Sequence, residues 1–379
     1  MAFTFTPLNQ SWIEPASEFV NSQFPEAVAT LGKLVKIPGI AWESFDSNSL
    51  DRSAAAVAAE LEALQMFDTV EIRRSAKPDG ELGAPAIVAR RAGASDAPHV
   101  LLYAHHDVQP PGARELWKTE PFEATLIGDR LFGRGASDDK SGIITHLYSL
   151  KTLKKLASSL RLGITVFIEG EEEAGSESFP NFLRENQADL AADLIIVADS
   201  GNWSEDVPAL TTSLRAMVSQ TFTIRTLDHA VHSGMYGGPL PDATGAMIKL
   251  LATLTDEQGN VAIAGLDSIP VDGPDLSDAE FGVAAGLLPG VKRLGTKSAT
   301  QQIWGEPAVT VIGMDIPQVD VSSNTAQPES RARISLRLAP SQDPDTGLEL
   351  LRQHISAYAP EGAVVEFGRS EKGPGYLAK

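Results

Sequence analysis

Residues 100–112 read VLLYAHHDVQPPG: a strand-forming apolar run from Val100 to Ala104 that ends in His105, His106 and Asp107 and is stopped by Pro110, Pro111 and Gly112. Successive side chains of extended backbone point to opposite faces, so His105 and Asp107 share one face and His106 takes the other. An imidazole so placed can hold a metal ion while the carboxylate two residues on orients its ring. Taken alone, the stretch reads as an ordinary strand end with satisfied polar groups. The rest of the chain changes that reading.

Working outward, Pro25 to Val35 and Leu50 to Leu64 have helical spacing, and Thr69 to Arg73 and Pro85 to Arg91 are short extended runs. After the central stretch, Ser141 to Leu156 is helical through Ile144, Leu147, Leu150 and Leu153, and Gly163 to Ile168 is a β-branched strand. Phe179 to Glu185 is helical and Leu194 to Ala198 is another apolar strand. Strands alternating with helices to about residue 205 predict a three-layer α/β domain around a mostly parallel sheet, whose ligands collect at the carboxyl ends of the strands. Acids and an imidazole lie at those ends: His105 and Asp107, the run Glu169, Glu171, Glu172 and Glu173, Asp199, and Asp138 with Asp139 in the loop LFGRGASDDKSG. One histidine and several carboxylates converging on one sheet edge make a site for hard or borderline divalent cations. A carboxylate shared by two ions, with another nearby as base, is what metal-assisted hydrolysis requires.

The chain of 379 residues, 42% hydrophobic, is long enough for two or more domains. Its 31 basic against 50 acidic residues give a net charge of -19, which argues against nucleic acid and anionic membranes as partners. The lack of cysteine excludes disulfides, thiolate metal sites and cysteine nucleophiles. The first residues carry no signal-peptide pattern and no segment approaches the ~20 apolar residues of a membrane span, so a cytoplasmic location is expected.

From about Ala209 the pattern changes. Strands at Val218 to Ile224, Val309 to Ile312, Ala332 to Leu338 and Val364 to Phe367, with helices at Ala243 to Leu254 and Thr346 to Ser356, spell βαββαβ. That is a ferredoxin-like α+β sandwich, with Gly259 to Pro307 inserted between its halves. The domains expected are therefore 1–208 and 209–379. In ARISLRLAP, Ile334, Leu336 and Leu338 share a face and Arg337 takes the other, free to fork onto a substrate carboxylate.

The ordered set YAHHDVQP, GRGASDDKSG, EGEEEAGS and ADS resembles the dinuclear zinc exopeptidase family of carnosine dipeptidase, aminoacylase, carboxypeptidase G and succinyl-diaminopimelate desuccinylase. VQP and the GRG-x-x-D-D-K form are most similar to its dipeptidase branch. The resemblance implies two divalent ions, zinc first with manganese or cobalt as alternatives, bridged by Asp138. His105 and Asp199 would complete one ion and Glu173 would serve the other. Asp107 would hold the ring of His105, and Glu172 would be the general base that takes a proton from a metal-bridging water. A cis peptide after Asp138 is implied too. The first domain would be catalytic and the second a lid and dimerisation domain. There HAVHSGMYGG matches the family's H-S-G element, whose histidine, His232, would reach a partner subunit's active site to stabilise the oxyanion. Asn324 falls where the family has a polar substrate contact. His99, His146, His229 and His354 have no motif and read as structural or exposed.

Family members return to the first domain after the last lid strand, with a final histidine ligand. Here the sequence stops at Lys379, so the C-terminal return of the catalytic domain is expected to be missing and the ion at Glu173 to be less completely held. The reading that results is a homodimeric metallopeptidase cleaving the amide bond of dipeptides or similar small substrates with a free carboxylate. Two alternatives stand beside it: an N-acyl amino acid deacylase or desuccinylase, and a catalytically inactive dimeric binding protein.

Overall fold

The computed structural model describes residues 10–157, 159–204 and 207–378, which group into two units, Met1–Pro208 and Ala209–Lys379. In the first unit α1 (Ile13–Val35) starts well before Pro25, which lies inside it. Next come α2 (Ser47–Ala63), capped by Asp46 through the backbone N–H of Asn48 at 3.1 Å, β1 (Thr69–Arg73), β2 (Ala86–Arg91) and β3 (His99–His105). A small hairpin, β4 (Thr125–Ile127) and β5 (Arg130–Phe132), precedes α3 (Lys140–Leu156), β6 (Gly163–Glu169), α4 (Phe179–Glu185), α5 (Gln187–Leu190) and β7 (Leu194–Val197).

The α/β class expected from the alternation stands, and the sheet, ordered β1-β2-β6-β3-β7, is mixed. β6, β3 and β7 are parallel, whereas β2 runs antiparallel to both β1 and β6. The reason lies between β1 and β2, where Pro78, Asp79 and Gly80 make a turn in place of the crossover helix that parallel neighbours need. Two apolar layers flank the sheet. Leu34, Val57, Leu61, Ile143 and Leu147 pack on one face against Ile87, Leu102, Ala104, Val166 and Ile168. Phe182 and Phe179 pack on the other against Val88, Leu101 and Phe167. Among the described residues the edge strand β7 pairs only with β3, and its four apolar residues are 45–58% exposed.

α3 approaches the end of β7 without room for a side chain. A Cβ on Gly142 would lie 2.1 Å from the Ala198 carbonyl oxygen and 2.3 Å from Asp139 Oδ1. Gly142→Ala is therefore expected to cost about 1–3 kcal/mol and to lower the melting temperature by about 2–12 °C, measured by calorimetry. An unchanged melting temperature would show that α3 can move away.

The second unit runs β8 (Ser213–Leu214), β9 (Ala216–Arg225), β10 (Val231–His232), α6 (Ser233–Tyr236), α7 (Ala243–Ala252), α8 (Asp278–Ala285), α9 (Ala299–Trp304), β11 (Ala308–Asp315), β12 (Thr325–Ala326), β13 (Glu329–Leu338), α10 (Pro344–Tyr358), β14 (Val364–Gly373) and β15 (Tyr376–Leu377). Its main sheet, β11-β13-β9-β14, is antiparallel throughout. With α7 and α10 this is the βαββαβ order the periodicity predicts, and α8 and α9 form the insertion. Val218, Phe222, Ile224, Ile334, Leu336 and Leu338 bury one face of the sheet against Met247, Leu250, Leu351 and Ile355. The alternate residues of β13, Arg331, Arg333 and Arg337, take the opposite face. No described helix in either unit is long and apolar enough to cross a membrane.

Candidate metal centre

Three parallel strands end together. His105 at the end of β3 is in register with Glu169 at the end of β6, and Asp199 lies just beyond β7. His106 turns to the helical side, where its ring meets Ser53 Oγ at 3.1 Å and the Pro85 carbonyl at 2.8 Å. His105 faces the other way. Its Nε2 lies 3.1 Å from Asp138 Oδ1 and 3.9 Å from both Glu172 Oε2 and Asp199 Oδ1. Two sets of possible ligands result, His105 with Glu172 and Asp199, and His105 with Asp138 and Glu173, each with its ligand atoms within 4.8 Å of one another.

The acidic run after β6 divides by role. Glu169 accepts hydrogen bonds from Tyr103 Oη at 2.8 Å and Ser176 Oγ at 2.5 Å. Glu171 accepts from the backbone N–H of Ala84 at 3.0 Å and of Ser178 at 2.6 Å. Both brace the loop. Glu172 and Glu173 begin a short 3-10 turn, closed by Gly175 at φ +95, where a side chain would be strained. That turn is held by Asp107, which is fully buried. Its Oδ1 lies 3.2 Å from His105 Nδ1 and accepts the Glu172 N–H at 3.2 Å, while Oδ2 accepts the Glu173 N–H at 3.1 Å. One carboxylate thus orients the imidazole and the glutamate turn together.

The electrostatics are those of crowded acids short of a counter-charge. Burial, opposed by His105 and aided by neighbouring carboxylates such as Asp199, pushes Glu172 and Asp139 up to about 7. Burial also raises Asp199 and Glu173. For His105, burial works downward, but the hydrogen bond and charge of Asp107, joined by Asp139 and Asp199, raise it to about 10.

The other candidates lie in the second unit. His232, exposed in β10, accepts the Gly234 N–H on Nδ1 at 3.0 Å. Asn324 is beside it: its carbonyl accepts the Ser233 N–H at 2.9 Å, and His232 pairs with Thr325 across β10 and β12. Arg337 is exposed near the far end of β13. His99, His146 and His354 pair with Thr165 Oγ1, the Tyr103 carbonyl and Thr253 Oγ1, and His229 is exposed beside Asp228.

Residues 101–345 match Peptidase family M20/M25/M40. The chain belongs to this family. Among the relatives of this M20 peptidase is the cysteinylglycine-S-conjugate dipeptidase of Corynebacterium striatum, 32% identical over 368 residues that span 96% of this chain and 76% of the relative. The beta-Ala-His dipeptidase of Rattus norvegicus is 25% identical over 370 residues, 93% of this chain and 75% of the relative. The fold is shared with human carnosine dipeptidase 1 at a TM-score of 0.77 and 21% identity, covering 98% of this chain and 82% of that one. It is shared as well with an M20 family metallo-carboxypeptidase from Sulfolobus solfataricus at 0.70 and 24%, covering 91% and 79%. This M20 chain is thus a hydrolase acting on peptide bonds, of the dipeptidase branch.

Three supporting residues of the M20 site carry no distinct signal in the sequence beyond their place in the motifs. Asp139 Oδ2 accepts the His105 N–H at 3.0 Å, next to the cis peptide that joins it to Asp138. Lys140, buried, donates from Nζ to the carbonyls of Leu34 and Ile37 at 2.8 Å each, tying the Asp138 loop to the end of α1. Gln109 donates to Glu173 Oε2 at 2.6 Å.

The raised pKa values of His105, Asp199 and Glu173 mean that protons compete with a cation for these ligand atoms. In the ion-free chain the surrounding carboxylates favour the protonated form of His105, and burial favours the protonated forms of Glu172 and Asp139 beside it. Zinc binding is therefore expected to release about one proton or more per chain, and affinity to fall about tenfold per displaced proton for each pH unit below 7. Calorimetry in buffers of different ionisation enthalpy reads this directly. Buffer-independent heats would mean that the ligands are already deprotonated.

Proposed function

We propose that this M20 peptidase hydrolyses dipeptides bearing a free carboxylate, with Glu172 as general base. The observation that carries the reading is the convergence of His105, Asp138, Glu172, Glu173 and Asp199 at the ends of parallel strands, in a chain 32% identical to a dipeptidase. The donor set fits divalent cations: an imidazole among carboxylates whose like charges a cation would neutralise. His105, Asp138 and Asp199 would hold one ion, most simply zinc with manganese or cobalt as alternatives, and Asp138 with Glu173 a second. Such ions supply Lewis acidity toward the scissile carbonyl and make water easier to deprotonate. Glu172 takes the proton of the attacking water on its carboxylate and hands it to the leaving amine, a task suited to a group poised near 7. Asp107 keeps Nδ1 of His105 protonated, so that Nε2 offers its lone pair.

The first unit is the catalytic domain and the second a lid through which two chains pair in the cytoplasm. Support for the pairing comes from the second unit alone. His232 and Asn324 are bound at the Glu329 end of β13, and Arg337 lies eight residues along, about 27 Å at the rise of a strand. A dipeptide spans only about 7 Å. His232 and Arg337 of one chain thus suit different substrates: His232, with Asn324, stabilises the oxyanion at the partner's site, while Arg337 holds a carboxylate.

The test is a panel of dipeptides, including Cys-Gly and β-Ala-His, their C-terminal amides and N-acetyl amino acids. Expected are dipeptide cleavage, its loss with EDTA, its return with zinc, and poor cleavage of the amides. Cleavage of the N-acetyl amino acids alone would make the protein a deacylase. Tight metal binding without any cleavage would make it a binding protein.

A further inference from the structure

Glu172 and Glu173 are neighbours in one 3-10 turn, yet their carboxylates are held differently. No described residue donates a hydrogen bond to the Glu172 carboxylate, which lies 3.9 Å from His105 Nε2. Glu173 Oε2 accepts from Gln109 Nε2 at 2.6 Å, and the same amide nitrogen lies 3.3 Å from the Glu173 carbonyl oxygen. Two residues of one segment thus hold Glu173. Asp107 accepts its main-chain N–H at 3.1 Å, and Gln109, two positions on, takes its side chain.

The segment around Gln109 is fixed on both sides. Before it, Val108 is fully buried and its N–H donates to the Gly39 carbonyl at 2.9 Å. After it, Pro110 and Pro111 have a fixed φ and no N–H, so the main chain can be tied there only through their carbonyls. Both carbonyls are taken. Arg134 Nη2 donates to that of Pro110 at 3.2 Å and Trp117 Nε1 to that of Pro111 at 2.7 Å, and the Arg134 guanidinium lies over the Trp117 ring at 5.3 Å. A glutamine on a loose loop loses backbone and rotamer freedom when it reaches for a carboxylate. Here the backbone is already ordered, and only the side chain remains to be placed.

We propose that Gln109 is a positioning residue for the second ion, the one assigned to Asp138 and Glu173: its amide fixes the Glu173 carboxylate in the orientation in which it meets the cation. This rests on the reading of Glu173 as a ligand. The donor type suits the task. A lysine or arginine in this place would neutralise Glu173 and compete with the cation for it, whereas a neutral amide sets the orientation and leaves the charge available. One N–H on one oxygen also leaves the other lone pairs of the carboxylate for the ion. Glu172, with no such donor, keeps the freedom to turn as it takes a proton and gives it up.

The experiment titrates zinc into metal-free wild type, Gln109→Met, Glu173→Gln and the double variant, in competition with a chromophoric chelator. Gln109→Met keeps the length of the side chain and removes the donor. In this variant the Kd of the zinc step that Glu173→Gln also weakens is expected to rise about 10- to 100-fold, with any other step within about threefold of wild type. In the double variant Gln109→Met is expected to add less than about threefold to the loss in Glu173→Gln, because the amide acts through that carboxylate. A general brace of the loop would instead add its full loss to that of Glu173→Gln, or weaken a step that Glu173→Gln leaves intact, and either result would overturn the proposal. Should Gln109→Met not fold, Gln109→Asn, whose amide stops one methylene short of Glu173, is read the same way. Zinc binding weakened by Glu173→Gln but not by Gln109→Met defeats the role of Gln109 alone. Zinc binding indifferent to Glu173→Gln defeats the ligand reading of Glu173, and the proposal with it.

Discussion

Replacing Glu172 by glutamine is expected to lower kcat for a dipeptide about a thousandfold, within the 10²- to 10⁴-fold carried by a positioned general base, while the number of bound divalent ions stays the same. The change is isosteric. The Glu172 N–H that bonds Asp107 Oδ1 is a backbone group and survives, so the 3-10 turn keeps its place. What disappears is a proton acceptor that burial has poised near neutrality, 3.9 Å from the His105 nitrogen at the centre of the site. Glu173→Gln should behave differently, because it removes charge from a proposed ligand: metal stoichiometry falls along with activity. Glu171→Gln is the control. Its carboxylate is occupied by the backbone N–H groups of Ala84 and Ser178, so its loss should appear in the melting temperature far more than in kcat. If Glu172→Gln keeps full kcat, the base is another group; if it loses an ion, Glu172 is a ligand.

These three glutamates also show where sequence reading stops. Strand alternation is local geometry, so the split of His105 and Asp107 from His106 can be read from residues 100–107, as can the ferredoxin-like order from periodicity. In EGEEE every position carries the same chemistry. Which acid braces and which faces His105 depends on where Ala84, Ser178, Tyr103 and Ser176 come to lie, and those partners are distant in sequence or set by tertiary packing. The direction of β2 was hidden for a related reason, since the turn at 78–80 that reverses it resembles any loop. Proline statistics mislead at Pro25, because a 23-residue helix can absorb one missing N–H. The apolar run of β7 suits a buried strand as well as the exposed edge it forms.

Asp107 is the residue on which the centre's geometry depends most, and Asp107→Asn is expected to weaken divalent-ion binding about 10- to 100-fold. The carboxylate accepts on both oxygens, from the N–H groups of Glu172 and Glu173 and from His105 Nδ1, and is itself fully buried. An asparagine has one acceptor and one donor end. With its oxygen toward Glu172 and His105, its NH₂ meets the Glu173 N–H, donor against donor. Flipped, it meets the Glu172 N–H and no longer holds the His105 proton on Nδ1. Either orientation leaves a buried N–H unsatisfied, at about 1–3 kcal/mol, so the melting temperature of ion-free protein should fall by about 2–12 °C. The kinetic signature differs from that of Glu172→Gln: excess zinc should restore much of kcat, because the base is still present and only its support and the imidazole's tautomer are impaired. Competition against a chromophoric chelator gives the affinity. If affinity and melting temperature both match wild type, the imidazole and the turn are held by something other than Asp107, and His105 Nδ1 would be free to turn to its 3.2 Å neighbour, the Asp107 carbonyl.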